Sequence, residues 1–361
     1  MNATDKARPA PRQPIALRPV EGPSVWRSAD WRTDMSWQMR LSAEHIADID
    51  RALARVRQSG TAFATITQAQ FPLPSMRPLL AELSHALLAG RGFALLKGLP
   101  MERYSVADAE RIFWGIGTHI GYGVTQNAAA DFISHVYDRG LNYGDRTVRA
   151  YQVRDALSMH CDNSDLVGLL CVHPAKSGGA SLLTSSMSVF NEILRTRPEY
   201  MGIYFSGFPY DRKGEQGAGE ALYTQKIPVF SQSNGVVSCR YARSYIQHAP
   251  AITGVELAPM ELDALDYFDA VAGSEEFQFE MQMEPGDMQF CNNYVVLHAR
   301  RGFENHPEPE RGRLLLRLWL EVPQVRDLAS DMVRHGFHHF GNLGQRAEQW
   351  FSHAGTGAPL Q

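Results

Sequence analysis

A histidine and an aspartate two positions apart, His160 and Asp162, directly precede the apolar run 166–172. If the pair lies on or at the end of an extended segment, the two-residue period of side chains places both on one face. The best candidate for a third ligand is His298. Two histidines and one carboxylate leave other positions of an octahedral ion open, as in non-haem Fe(II) oxygenases. The motif alone does not establish a metal site, because histidines pair with carboxylates on many surfaces and in many cores.

The segment 313–322 alternates strictly between two kinds of side chain, which predicts a strand with two different faces. One face carries Leu314, Leu316, Leu318 and Leu320, and the other carries Arg313, Leu315, Arg317 and Trp319. If the second face lines a barrel, its two guanidinium groups need anions to offset the cost of burial. A dicarboxylate that chelates the metal with a 2-oxo acid end and reaches an arginine with its other end would explain both features. The alternative is an edge strand with an exposed arginine face.

Four motifs occur together in a fixed order: His160-x-Asp162, Gly178-Gly-Ala-Ser181, the stretch from Asn292/Asn293 to His298, and Arg313-x-x-x-Arg317-Leu-Trp-Leu. In order and approximate spacing they resemble the iron(II)/2-oxoglutarate-dependent dioxygenases related to taurine dioxygenase and clavaminate synthase, the TauD/TfdA family. The similarity covers residues 90–322, and the combination is far more specific than any single motif.

The resemblance implies roles for individual positions. His160, Asp162 and His298 match the iron ligands. Arg317 matches the arginine that holds the distal carboxylate of 2-oxoglutarate, and Arg313 matches one near the carboxylate that chelates iron. Ser181 stands where the family often has a threonine whose hydroxyl hydrogen-bonds 2-oxoglutarate. Arg317 follows His298 by nineteen residues, whereas a separation nearer fifteen in some relatives would select Arg313, so the arginine assignment stays open.

The resemblance also implies a reaction. Fe(II), 2-oxoglutarate and O2 would give succinate and CO2 together with oxidation of a small molecule. The carboxylate of Asp162 favours hydroxylation, desaturation or ring closure over halogenation, because related halogenases replace it with a small residue. Two alternatives remain: a cupin-like dioxygenase or hydrolase that does not use 2-oxoglutarate, and a non-catalytic small-molecule binding member of the fold.

Elsewhere the sequence indicates many strands and a few helices, which favours an α+β fold, mainly β, with a double-stranded β-helix (jelly-roll, cupin-like) core and flanking helices. Helices are predicted from the capping residue Ser42 to Gly60, over 78–89, from Ser105, over 188–197 and over 259–271. Strands are predicted over 92–98, 149–153 and 181–187, and a hairpin turns at Asn234-Gly235. Residues 1–24 are expected to form a proline-rich arm and 25–361 a single domain, with the jelly-roll core over 90–322.

Substrate contacts are expected from less regular segments. The stretch 121–145 is rich in Gly, Asn and Asp, and such long segments often form active-site walls. Gln126, Asn127 and Tyr151 are the candidates, although ordinary loop polarity explains the first two equally well. The segment 210–226 is either a mobile lid or a solvated connection.

Composition bounds the partners. A net charge of −4 over 361 residues provides no broad basic field for nucleic acid or an anionic membrane, which favours a small-molecule substrate. The four cysteines lack metal-site or disulfide spacing and no run of about eighteen apolar residues occurs, so a cytoplasmic location is expected. A further cluster, His335, His338 and His339, is expected on the surface without a metal.

Overall fold

The computed structural model describes residues 17–127, 129–142, 148–216, 219–322, 326–329 and 332. Residues 1–16 of the expected arm and the histidine cluster at 335–339 lie outside these ranges. The α-helices of the described part are α1 (Ala43–Gln58), α2 (Arg77–Leu88), α3 (Val106–Gly117), α4 (Ser186–Thr196), α5 (Met201–Ser206), α6 (Arg243–His248), α7 (Pro250–Thr253) and α8 (Pro259–Ala272). None of them is long and apolar enough to cross a membrane.

Most of the strands belong to two sheets. They are β1 (Gln38–Arg40), β2 (Phe93–Lys97), β3 (Tyr122–Val124), β4 (Ile133–Val136), β5 (Leu157–His160), β6 (Leu166–His173), β7 (Ser177–Gly178), β8 (Ser181–Ser185), β9 (Phe230–Ser233), β10 (Val236–Cys239), β11 (Phe279–Met281), β12 (Met288–Asn292), β13 (Val296–Arg300), β14 (Phe303–Glu304) and β15 (Leu314–Glu321). The larger sheet has the order β1-β2-β12-β6-β15-β3, with β4 also paired to β15. The smaller sheet has the order β11-β8-β13-β5. Both are antiparallel except where β1 meets β2.

The two faces of β15 separate two apolar cores. Leu316, Leu318 and Leu320 pack with α3, whereas Leu315 and Trp319 share the second core with residues of the smaller sheet. The strand lies between β6 on one side and β3 and β4 on the other. The exposed edge-strand alternative is therefore wrong, and the face that carries the arginines lies inside the jelly-roll.

Local sequence signals explain most element boundaries. The hydroxyl of Ser42 accepts a hydrogen bond from the backbone of His45, which begins α1. Asn234 and Gly235 both have positive φ, 48° and 81°, as a two-residue hairpin turn between β9 and β10 requires.

Two strand predictions need correction. The strand from Ser181 ends at Ser185, because the hydroxyl of Ser185 accepts from the backbone of Ser188 and caps α4.

The strand predicted over 149–153 is a 3-10 turn, Ala150–Gln152. Its geometry is fixed locally, because the side chain of Gln152 accepts a hydrogen bond from the backbone of Arg149 at 3.0 Å. A run of five residues is too short for periodicity to distinguish a strand from a turn. The turn matters for the site, since it carries Tyr151 into the interior, where only 8% of that residue is exposed.

Candidate metal centre

Pairing between β5 and β13 brings the three candidate ligands together. His160 ends β5 and lies opposite His298 of β13, and Asp162 follows immediately after β5. Oδ1 of Asp162 lies 3.8 Å from Nε2 of His160, and Oδ2 lies 3.7 Å from Nε2 of His298. One ligand atom from each residue lies within 4.8 Å of the other two. The donor set, two imidazoles and one carboxylate on one side, suits a divalent iron with open positions.

Neighbouring groups orient the ligands. The indole Nε1 of Trp319 donates to Oδ2 of Asp162 at 2.8 Å, and the backbone N–H of Asp162 donates to the side chain of Asn293 at 3.0 Å. Nδ1 of His160 lies 2.9 Å from the carbonyl oxygen of Ser158, so this nitrogen carries the proton and leaves Nε2 for a metal. Such partners fix both the tautomer and the direction of a ligand.

The electrostatics of the triad favour the protonation states that a metal requires. Burial, together with the nearby His298, lowers the pKa of His160 to about 4. Burial alone would raise the pKa of Asp162, but Arg317 and His298 outweigh it and hold that pKa well below the usual range. Neutral imidazole and ionised carboxylate are the metal-binding forms.

A small pocket of about 50 Å³, which we call the inner pocket, extends from the triad to two buried arginines, Arg300 and Arg313. The ring of Phe303 lies 4.8 Å from one guanidinium and 4.9 Å from the other. Burial and the proximity of Arg300 lower the pKa of Arg313 to about 9. Nη1 of Arg313 is buried and has no hydrogen-bond partner among the described residues. A buried cation with an unused donor fits an anionic ligand.

The Gly178-Gly179 pair makes room beside Arg313. Both glycines have positive φ, 71° and 70°, which side chains rarely adopt. A Cβ added to Gly179 would lie 3.2 Å from Nε of Arg313. Ser181, two residues later, lines the inner pocket at the start of β8.

Arg317 lies nearer the metal ligands. Its Nη1 is 3.5 Å from Oδ1 of Asp162, and its guanidinium lies 4.7 Å from the ring of Tyr151 and 4.6 Å from the ring of Trp319. Gln126 holds Arg317 in place, because its amide oxygen accepts a hydrogen bond from Nε of Arg317 at 2.8 Å. The amide nitrogen of Gln126 donates to the carbonyl of Arg317 at 2.7 Å. The two arginines of β15 therefore have different surroundings.

A larger cavity of about 160 Å³, which we call the outer cavity, also reaches His160 and Asp162. It is lined by residues of the turn at 150–152, of the segment after 208 and of α6. Tyr210 and Lys213 of the suggested lid segment belong to this lining. The described part of that segment thus forms one wall of the cavity. Within the segment, an antiparallel backbone bridge pairs Asp211 with Tyr223.

The structure brings seven of the nine candidate residues to these two chambers and places two elsewhere. Tyr151 lines both chambers. Gln126 is fully buried and contacts Arg317 instead of either chamber. The amide of Asn127 is used within its own loop, where it donates to Asp131 at 2.9 Å. Sequence reasoning missed Arg300, although its position two residues after His298 on a strand places it on the same face.

Comparison with known proteins identifies the class. The family model described as "Taurine catabolism dioxygenase TauD, TfdA family" matches residues 55–319. The chain is 32% identical over 325 residues to FR-33289 synthase of Streptomyces rubellomurinus (strain ATCC 31215), covering 89% of this chain and 96% of that protein. It is 25% identical over 312 residues to the taurine hydroxylase-like protein SAT17 of Stachybotrys chartarum (strain CBS 109288 / IBT 7711), covering 81% and 77%. The chain therefore belongs to the TauD/TfdA family and is an Fe(II)/2-oxoglutarate-dependent dioxygenase.

Solved structures agree with the fold. Asparagine oxygenase in complex with Fe(II), 2S,3S-3-hydroxyasparagine and succinate superposes with a TM-score of 0.62 at 13% identity, covering 79% of this chain and 93% of that one. The non-haem iron oxygenase OrfP in complex with Fe and alpha-ketoglutaric acid superposes with a TM-score of 0.57 at 13% identity, covering 79% and 94%. The expected jelly-roll, cupin-like fold is confirmed.

Proposed function

We propose that His160, Asp162 and His298 hold the Fe(II) of this dioxygenase and that the inner pocket holds 2-oxoglutarate. The observation that carries the proposal is the continuity of one pocket from the three ligands to the buried Arg313. Bound there, the metal and 2-oxoglutarate would supply the O2 activation and oxidative decarboxylation that form succinate and CO2 and oxidise a substrate C–H bond. The remaining residues of the site bind and orient the reactants, and they exclude water.

Arg313 is the proposed partner of the distal carboxylate of 2-oxoglutarate. Its buried, unused Nη1 suits a carboxylate oxygen, and Gly179 leaves its Nε accessible. Ser181 lines the same pocket, with its hydroxyl donating to the side chain of Gln289. Arg317 also lines this pocket, and its buried Nη2 has no hydrogen-bond partner among the described residues. Arg313 is preferred because Nη1 of Arg317 lies 3.5 Å from Oδ1 of Asp162.

Arg317 is the proposed positioning group for the metal carboxylate. Together with the indole of Trp319 it contacts Asp162 on both oxygens, which fixes the plane of that carboxylate. Gln126 acts through Arg317 and is a positioning residue in this scheme. The sequence suggested Gln126 as a substrate contact, whereas here we propose that it supports Arg317.

The substrate is a small molecule that occupies the outer cavity, with Tyr151 in its wall, rather than nucleic acid or a membrane. Hydroxylation is the proposed outcome: two structural neighbours are solved with hydroxylated amino acids, 3-hydroxyasparagine in one and hydroxyarginine in the other. A cytoplasmic location is proposed as well, since all four cysteines are free and buried.

Succinate formation from 2-oxoglutarate, with Fe(II) and ascorbate under air, tests the proposal before the substrate is known. Wild type and His135→Ala should form succinate slowly, whereas His160→Ala should form none. His135 is a matched control, because it lies half-exposed on β4 and pairs with Glu110. Equal succinate from His160→Ala and wild type would contradict the metal assignment.

A further inference from the structure

We infer that Arg300 couples the two chambers: one side of its guanidinium contacts 2-oxoglutarate in the inner pocket, and the other side holds the segment 150–155, which we call the wall segment. Binding of 2-oxoglutarate then orders a wall of the outer cavity. The inference rests on the proposed function, since it takes the inner pocket as the 2-oxoglutarate site. What carries it is the place of one guanidinium, which lines the inner pocket, is buried with the residue only 6% exposed, and bonds to the wall segment.

The wall segment is held by hydrogen bonds from the end of β13 and the residues after it. Nη2 of Arg300 donates to the carbonyl oxygen of Val153 at 2.8 Å and to that of Asp155. The backbone N–H of Phe303 donates to the carbonyl between them, that of Arg154, at 3.1 Å. Three successive carbonyls therefore accept from one neighbouring stretch of chain. A hydrogen bond from a charged donor contributes about 1.5–3 kcal/mol, so Arg300 is a strong part of this attachment.

The wall segment matters because it carries Tyr151. This side chain lines both chambers, and its ring lies 4.7 Å from the guanidinium of Arg317. Beyond the 3-10 turn Ala150–Gln152, the segment has no helix or strand of its own before β5 begins. Its position therefore depends on tertiary hydrogen bonds such as those from Arg300, and a shift of the segment would move Tyr151 in both chambers.

The other side of Arg300 is prepared for an anion. Its buried Nε has no hydrogen-bond partner among the described residues, and its guanidinium and that of Arg313 contact the same ring, Phe303. Burial lowers the pKa of Arg300 to about 10, against the opposing effect of Asp138 and Asp155, so the group stays cationic at neutral pH. Neither of these carboxylates lines the inner pocket. Two cations beside one pocket repel each other, and a carboxylate bound between them stabilises both.

A rigid guanidinium transmits what happens on one side to the other. Its donors lie in one planar group, so an anion that fixes Nε also fixes the direction of Nη2. Coupling of this kind is reciprocal: if 2-oxoglutarate orders the wall segment, loss of the bonds to the wall segment weakens 2-oxoglutarate.

Hydrogen exchange measured by mass spectrometry on the full chain tests the coupling without turnover. The protein is loaded with Fe(II) under anaerobic conditions and compared with and without saturating 2-oxoglutarate. In wild type, 2-oxoglutarate should slow amide exchange in the wall segment about tenfold, as expected for one charged hydrogen bond gained in strength. Exchange in α8 should not change, which provides an internal reference for folding.

Two substitutions assign the slowing to Arg300. Arg300→Met and Arg300→Lys should both lose it, because a compact ammonium does not hold two carbonyls and an anion at once. Arg301→Met is the matched control on the next residue, where the side chain is half-exposed and pairs with Glu280, and it should keep the slowing. The Kd for 2-oxoglutarate, measured by the visible absorption of the Fe(II) complex, should rise about tenfold in Arg300→Met and about threefold in Arg300→Lys, which keeps the charge.

Several results would overturn the inference. Wild type in which 2-oxoglutarate leaves exchange of the wall segment unchanged would do so without any variant. Slowing that persists in both Arg300 variants would show that the coupling bypasses this residue. An unchanged Kd in a folded Arg300→Met would reduce Arg300 to a structural support, and wild-type behaviour of Arg300→Lys in both measurements would reduce it to a charge. Failure of the proposed function is separate, because it would appear as absent succinate formation by wild type.

Discussion

The inner pocket and the outer cavity share His160 and Asp162 but are built from different kinds of structure. Apart from Tyr151 of the 3-10 turn, the residues that face the inner pocket lie on or next to strands of both sheets, including β8, β13 and β15. The outer cavity also borders β5 and β15, but the rest of its wall comes from a 3-10 turn, from the segment after 208 and from the six-residue helix α6. Strands fix side chains through a register that involves many hydrogen bonds, whereas short connecting segments vary readily. The difference indicates that the reaction is set by the sheets and the choice of substrate by the connections.

The largest expected effect comes from Asp162, a proposed metal ligand that lines both chambers. Asp162→Ala removes a ligand and leaves Arg317 without its nearest carboxylate. Iron affinity and succinate formation should both fall more than about 100-fold, since even partners of metal ligands typically contribute 10- to 100-fold. Metal content after anaerobic loading, measured beside the succinate rate, checks this. Full iron loading of the variant would show that the triad is not the metal site.

Arg313→Gln should affect the inner pocket alone. Removing the buried partner of a carboxylate costs about 2–5 kcal/mol, so the KM for 2-oxoglutarate should rise roughly 100-fold. Arg317→Gln is the matched comparison on the same strand, and it should raise this KM less and lower kcat more. The reverse ranking would assign the distal carboxylate to Arg317 and restore the first interpretation from the sequence.

Trp319→Phe should weaken the metal site without changing either chamber's charge. The substitution keeps an aromatic ring but removes the 2.8 Å hydrogen bond to Asp162. We expect iron affinity to fall about tenfold. Competition with a chelator of known affinity measures the change, and an unchanged affinity would show that the indole has only a packing role.

Gln126→Leu should give the smallest effect, because Gln126 acts through Arg317. Loss of its two hydrogen bonds to that residue should lower kcat about fivefold and leave the KM for 2-oxoglutarate nearly unchanged. Gln126→Glu, which keeps the acceptor for Nε of Arg317, should recover part of the rate. A rise in the KM for 2-oxoglutarate with kcat unchanged would contradict this positioning role.

The sequence predicted the inner pocket better than the outer cavity, and the reason is periodicity. Strict alternation along β15 predicted that Arg313 and Arg317 share one face of the strand, and the two-residue spacing of His160 and Asp162 predicted that these two share a face. Alternation along one strand does not specify its register with neighbouring strands. The hydrogen bond from Trp319 to Asp162 and the different surroundings of the two arginines depend on that register.

The outer cavity depends on contacts that no local pattern encodes. Arg149, Lys213 and Arg243 are separated by at least thirty residues from one another along the chain and lie on segments without a clear period. The turn at 150–152 was expected as a strand. Residues that converge through irregular segments become visible only when the tertiary fold places them around one volume.

We propose that one pocket holds the metal and 2-oxoglutarate together, and the visible absorption of the joint complex reports this arrangement. Anaerobic titration of 2-oxoglutarate into the Fe(II) protein should produce a visible charge-transfer band in wild type and in the His135→Ala control. The band should be absent without Fe(II) and in His160→Ala, and it should require much more 2-oxoglutarate in Arg313→Gln. Absence of the band from wild type, or its presence at full strength in His160→Ala, would contradict joint binding of the metal and 2-oxoglutarate in this pocket.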